Sequence, residues 1–202
     1  MKEKTIAFLT CIFIAMSIFG FTYAQWNDVI IVNTTMTFGT LNLGFVDPLT
    51  WVDNEDAKDV GLIDCHYEEY VQDVATGKWS YRKLVTELAN AYPGYEGYST
   101  FTLENVGTLP VKITDVVVSD FTNTLKWVED ATNPAKGVLV DTATDKAILN
   151  LELTPDPIEE RLEPQPYTPT TLEVTLYLRV NQDAEHRYAY SFQVEIIYEE
   201  AT

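Results

Sequence analysis

Cys65, His66 and His186 are the residues of this 202-residue chain best suited to nucleophilic or zinc chemistry. Cys65 with His186 would make a thiol nucleophile and its base, and all three together would supply three zinc ligands. Their spacing argues against both. Cys65 and His66 are adjacent, so on a strand they point to opposite faces, and neither histidine sits in an H-E-x-x-H arrangement. The sequence has no G-x-S-x-G, no phosphate-cradling glycine loop and no basic-aromatic stripe. A non-catalytic protein is expected. Carboxylates are more plentiful: Asp53, Glu55, Asp56 and Asp59 in one stretch, Asp141 and Asp145 in another. Such loops suit a hard cation such as calcium, but without EF-hand spacing the plainer reading is a solvated acidic surface, as for Glu159 and Glu160. No cofactor is expected, with calcium the one ion these loops suit. Asn33-Thr34-Thr35 is an N-glycosylation acceptor.

The elements that position these groups follow from composition and pattern. Apolar residues make up 46% and aromatics 12% of the chain, enough to close a core. The 31 acidic against 13 basic residues give a net charge of −18, which excludes nucleic acid as a partner because phosphate binding needs clustered Lys and Arg. Residues 1–24 read as an export signal: Lys2 and Lys4, an uncharged apolar run from Ile6 to Phe21, then Thr22-Tyr23-Ala24 with small residues at −3 and −1. Sixteen helical residues span roughly 24 Å, short of a bilayer core of about 30 Å. Cleavage between Ala24 and Gln25 is expected, with the membrane touched only through the uncleaved leader. With Cys11 removed, Cys65 has no intramolecular disulfide partner.

Period-two alternation dominates the rest. Leu172, Val174, Leu176, Leu178 and Val180 mark one strand, and Tyr188, Tyr190, Phe192, Val194, Ile196 and Tyr198 another; the pair is expected to form an antiparallel hairpin. Phe101 and Leu103 lead into the turn Glu104-Asn105-Val106-Gly107, after which Val111 and Ile113 resume the alternation, and residues 147–153 form a further strand. Residues 81–91, with Leu84, Val85 and Leu88 on one helical face, fit a helix or a strand. Prolines between 155 and 169 suggest an extended crossover between sheets. The expected fold is an all-β sandwich of Greek-key or jelly-roll type.

The segment from Gln25 to Thr35 is apolar on both faces, with Trp26, Ile30 and Val32 on one and Val29 and Ile31 on the other. Such a strand needs burial on both sides, yet a chain start is normally free to fray. It is satisfied either at home or as a strand added to a neighbour, and head-to-tail addition does not close.

The stretch Tyr23-Ala24-Gln25-Trp26-Asn27-Asp28, followed by Phe38-Gly39-Thr40-Leu41-Asn42-Leu43, resembles the processing site and mature start of the TasA/camelysin family of secreted biofilm-fibre proteins and of the archaeal bundling-pilus subunits. Pro93-Gly94, the run Phe101 to Ile113 around Glu104-Asn105-Val106-Gly107, and the closing strand from Tyr190 to Glu199 are similar to later parts of that family. The resemblance implies a jelly roll whose subunits polymerise by donor-strand complementation, and export through a signal peptidase. It carries over no protease activity, since no zinc-ligand motif is present. The expected organisation is a signal peptide at 1–24, a donor strand at 25–35 with Trp26, Asn27, Asp28, Val29, Ile30, Ile31 and Val32 as its contacts, and a sandwich at 36–202. The expected partners are further copies of the chain, joined into filaments that bundle laterally. The alternative is a monomeric secreted module whose acidic loops bind calcium or carbohydrate.

Overall fold

The computed structural model describes residues 39–54, 61–122, 124–182, 184 and 188–201. Every regular element among them is a strand: β1 (Leu43–Asp53), β2 (Leu62–Gln72), β3 (Trp79–Ala91), β4 (Glu96–Asn105), β5 (Val111–Asp120), β6 (Leu125–Asp130), β7 (Asn133–Asp141), β8 (Ala147–Thr154), β9 (Arg161–Leu162), β10 (Thr171–Val180) and β11 (Tyr188–Glu200). All pairings are antiparallel, in the order β6-β7-β8-β10-β4-β1-β3-β11-β5-β9, with β2 on the other side of β3.

The path narrows in the middle. β1 follows β4 from Leu43↔Asn105 to Asp53↔Gly97, but meets β3 at the single pair Phe45↔Tyr81. The sheet therefore curls into two half-sheets, β6-β7-β8-β10-β4-β1 and β2-β3-β11-β5-β9, whose inner faces share one core. Phe45, Phe101, Leu151 and Leu176 come from the first, and Leu84, Leu88, Ile113 and Phe192 from the second; all are buried. The alternation that drives this is plain in β4, where Gly97, Ser99, Phe101, Leu103 and Asn105 are buried and the residues between them are not.

The structure resolves one open sequence reading and changes one expectation. Residues 81–91 belong to strand β3. β10 and β11 are not a hairpin: β10 lies between β4 and β8, and β11 between β3 and β5. β4 and β5, on either side of the Glu104–Gly107 turn, find their neighbours in different half-sheets. Alternation marks the buried face of a strand and does not choose its neighbour, so strands consecutive in sequence can take places in different half-sheets. The proline-rich stretch does cross over, leaving β8, placing β9 beside β5 and returning to β10.

The strand directions give the domain two poles. At the lower pole lie the start of β1, the β2–β3 turn and the β4–β5 turn. At the upper pole lie the end of β1, the starts of β2 and β11, and the β5–β6 and β7–β8 turns.

Candidate functional site at the two poles

The chain enters the domain at the lower pole through Gly39–Asn42, which is hydrogen-bonded to the β4–β5 turn. The Thr40 carbonyl accepts from the Thr108 and Leu109 amides at 2.9 and 3.2 Å, and the Asn42 carbonyl from Val106 and Gly107 at 2.9 and 3.1 Å. The Thr40 amide donates to Thr108 Oγ1 at 2.8 Å. Glycine is needed for this approach: a Cβ on Gly107 would collide with the Thr40 carbonyl, and one on Gly39 with the Leu109 side chain.

Three buried polar side chains lock the clasp. Asn105, 1% exposed, donates to the Leu109 and Leu162 carbonyls and accepts from the Gly107 amide. Asn42 donates to Asp73 Oδ2 at 3.2 Å, and Asp73 Oδ1 accepts from the Ala75 and Thr76 amides and the Thr76 hydroxyl. Thr76 Oγ1 in turn lies 2.6 Å from the Val106 carbonyl, which ties the β2–β3 turn to the β4–β5 turn.

At the upper pole the half-sheets part over a cleft of about 820 Å³. Its floor is core residues Ile63, Leu88, Ile148 and Tyr190, with Trp51 and Leu62 exposed at one side. Its rim is the β5–β6 and β7–β8 turns, each built on an aspartate. Asp120 accepts from the amides of Thr122, Thr124 and Leu125 and from both threonine hydroxyls. Asp141 accepts from the Ala143 and Thr144 amides and the Thr144 hydroxyl. Local side-chain-to-backbone bonds of this kind fix turns, so the Asp141 carboxylate is engaged in shaping its own loop. Among the described residues no group of three or more His, Cys, Asp or Glu side chains is placed to hold a metal ion.

Burial alone would push the carboxyls of Asp73 and Asp120 up. Hydrogen bonds from Thr76, Thr40 and Asn42 to the first, and from Thr122 and Thr124 to the second, outweigh it and hold both below the ordinary carboxylate range. A depressed folded-state value stabilises the fold above the unfolded-state pKa of about 3.9, and that contribution is lost as pH falls through the folded-state value. Thermal melts are therefore expected to hold steady from about pH 7 to 5 and to fall progressively below. Asp120→Asn should flatten the acid limb while lowering stability at neutral pH; an unchanged limb would place the titration elsewhere.

Cys65 and His66 lie on opposite faces of β2. Cys65 is buried, with its Sγ 3.6 Å from Thr86 Oγ1, and burial pushes its thiol up to about 11. His66 is half exposed, 3.7 Å from Glu68. A thiol of this kind is unreactive, so alkylation of Cys65, followed by mass spectrometry of its peptide, is expected only on unfolding. Rapid labelling of the native protein would refute this.

Asp53 ends β1, and Asp145 sits beside the β7–β8 turn with a φ of 57°. Glu159 and Glu160 are exposed, and Glu159 pairs with Lys112. Ala24, Gln25, Trp26, Asn27, Asp28, Val29, Ile30, Ile31, Val32, Asn33, Glu55, Asp56, Asp59 and His186 lie outside the described residues. Sequence reasoning missed Asn42 and Asp73, whose only local signal is the turn Asp73-Val74-Ala75-Thr76-Gly77, of the same D-x-x-T form as Asp141–Thr144. It also missed a chain of rings that runs from the exposed Trp79 through Tyr70, Tyr81, Tyr67 and Phe45 to the buried Phe101, with successive centroids 4.5–5.7 Å apart. Glu69, at φ 58°, interrupts the alternation of β2 so that Tyr67 and Tyr70, three residues apart, both contact Tyr81.

Scans against protein-family models, curated proteins and solved structures find no match to this chain.

Proposed function

We propose that this protein is a secreted, non-catalytic structural subunit of jelly-roll type. Residues 25–35 of one copy add as a strand to the next copy, building an extracellular filament of the kind that forms biofilm matrices and bundles laterally. The observation that carries this reading is the separation of the poles: the chain enters at the clasp, whereas the apolar-floored cleft opens at the opposite end. Surfaces at opposite ends of a subunit give head-to-tail contacts, which propagate without closing.

Chain reach points the same way. From Gly39 back to Val32 an extended chain covers at most about 25 Å, while β1, which runs from pole to pole, is about 34 Å long. A chain of that length would not bring Val32 to the cleft of its own copy, which favours the cleft of a neighbour as the seat of this segment. The apolar side chains of residues 29–32 suit its floor, and added backbone hydrogen bonds would supply the rest.

Electron microscopy tests this. Protein lacking residues 1–24 is expected to form filaments, and protein lacking residues 1–35 to stay monomeric. Filaments from the shorter chain, or monomers from the longer one at every concentration, would overturn the reading.

A further inference from the structure

The outer face of the first half-sheet carries a second concavity, of about 590 Å³, that filament formation does not use. Two cross-strand rows of outward-pointing side chains run through it, with Tyr98 just outside its lining. Register places Tyr98, Tyr177, Glu152 and Lys136 in one row, and Glu96, Arg179, Asn150 and Val138 in the next. With Val128 of β6 opposite Val138, the second row crosses five strands, about 19 Å at the usual strand spacing. The volume lies within the ordinary range of small-ligand sites, about 300–1,000 Å³.

The chemistry of the rows is specific. Tyr177 stacks on Tyr98 with centroids 5.7 Å apart and an interplanar angle of 28°, and half of Tyr177 remains exposed. Arg179 pairs with Glu96 at 3.2 Å and Lys136 with Glu152 at 2.5 Å, so the charges within the rows cancel. Asn150 is oriented by Asn181 at 2.5 Å. Beyond the rows the rim carries Glu129 and Asp130, which disfavour an anionic ligand. What remains is an aromatic surface beside planar guanidinium, carboxylate and amide groups, each able to engage two neighbouring hydroxyls. A pyranose presents the matching surfaces: a C–H face for the ring and hydroxyl edges for the planar groups.

We propose that this groove binds an uncharged, extended pyranose oligosaccharide, with Tyr177 as the stacking platform and Arg179, Asn150 and Glu152 as its polar contacts. The site lies on a sheet face away from both poles and does not depend on polymerisation. A filament built from such subunits would display it repeatedly, so that weak single contacts add along its length.

Saturation-transfer-difference NMR with cellohexaose, mannohexaose and xylohexaose tests the proposal on the protein as secreted, polymeric or not. Transfer to the ring protons of at least one of these saccharides is expected. Tyr177→Phe should keep it, and Tyr177→Thr and Arg179→Ala should each weaken binding about tenfold, with circular dichroism unchanged in all three. Exposed Tyr167, outside the groove, serves as the control position, and Tyr167→Thr should change nothing. No transfer to any of the three saccharides, or transfer that survives both Tyr177→Thr and Arg179→Ala, would overturn the assignment.

Discussion

Replacing Asn105 by alanine is expected to destabilise the domain by about 3–5 kcal/mol, because one truncation removes three hydrogen bonds and leaves two carbonyls and an amide without this partner in a buried site. The loss also releases the crossover, since the Leu162 carbonyl is one of the acceptors. For a chain of this size the melting temperature should fall by roughly 10 °C. Asn105→Asp should do no better, as it removes both donated bonds and places a charge where burial disfavours it. A loss below about 1 kcal/mol would mean that the turn rearranges freely, and the clasp would then not fix the chain as it enters the domain.

A peptide with the sequence of residues 25–35, added to protein lacking residues 1–35, is expected to raise its melting temperature by about 5–10 °C at a hundredfold excess over its dissociation constant. The four aliphatic side chains at 29–32 each gain about 1.5–3 kcal/mol on burial, less the cost of ordering an eleven-residue chain. A scrambled peptide of equal composition should have no effect. If the native peptide also has none at saturation, the segment is buried somewhere other than the cleft.

How much of this was legible beforehand depended on the kind of information each feature carries. The alternation in β10 and β11 marks which side chains face the core, and those faces match. It says nothing about which strand lies alongside, so the expected hairpin gave way to two strands in separate half-sheets. Leu84, Val85 and Leu88 imitate a helix because Leu84, Val85 and Thr86 are all buried in β3, which erases the period of two there. In the clasp, the Asn105-Val106-Gly107 turn can be read from sequence, but its partners at Asn42, Thr76 and Leu162 are brought in by topology from 30 to 65 residues away. Composition does not distinguish a free carboxylate from one already accepting from its own turn, as Asp141 does among the acidic residues that suit a cation.

The clasp and β1 also bear on mechanics. In a head-to-tail filament, tension on the segment ahead of Gly39 reaches the domain where the Thr40 and Asn42 carbonyls are gripped, and passes into β1 along the strand axis. The eight register pairs between β1 and β4 lie across that axis, so they resist sliding together rather than peeling one at a time. The single rung to β3 at Phe45↔Tyr81 carries little of the pull, which leaves the β1–β4 ladder as the load path and the second half-sheet as cladding. A subunit of this design yields late and all at once, as a rivet shears, and a filament built from such subunits would be stiff until it breaks.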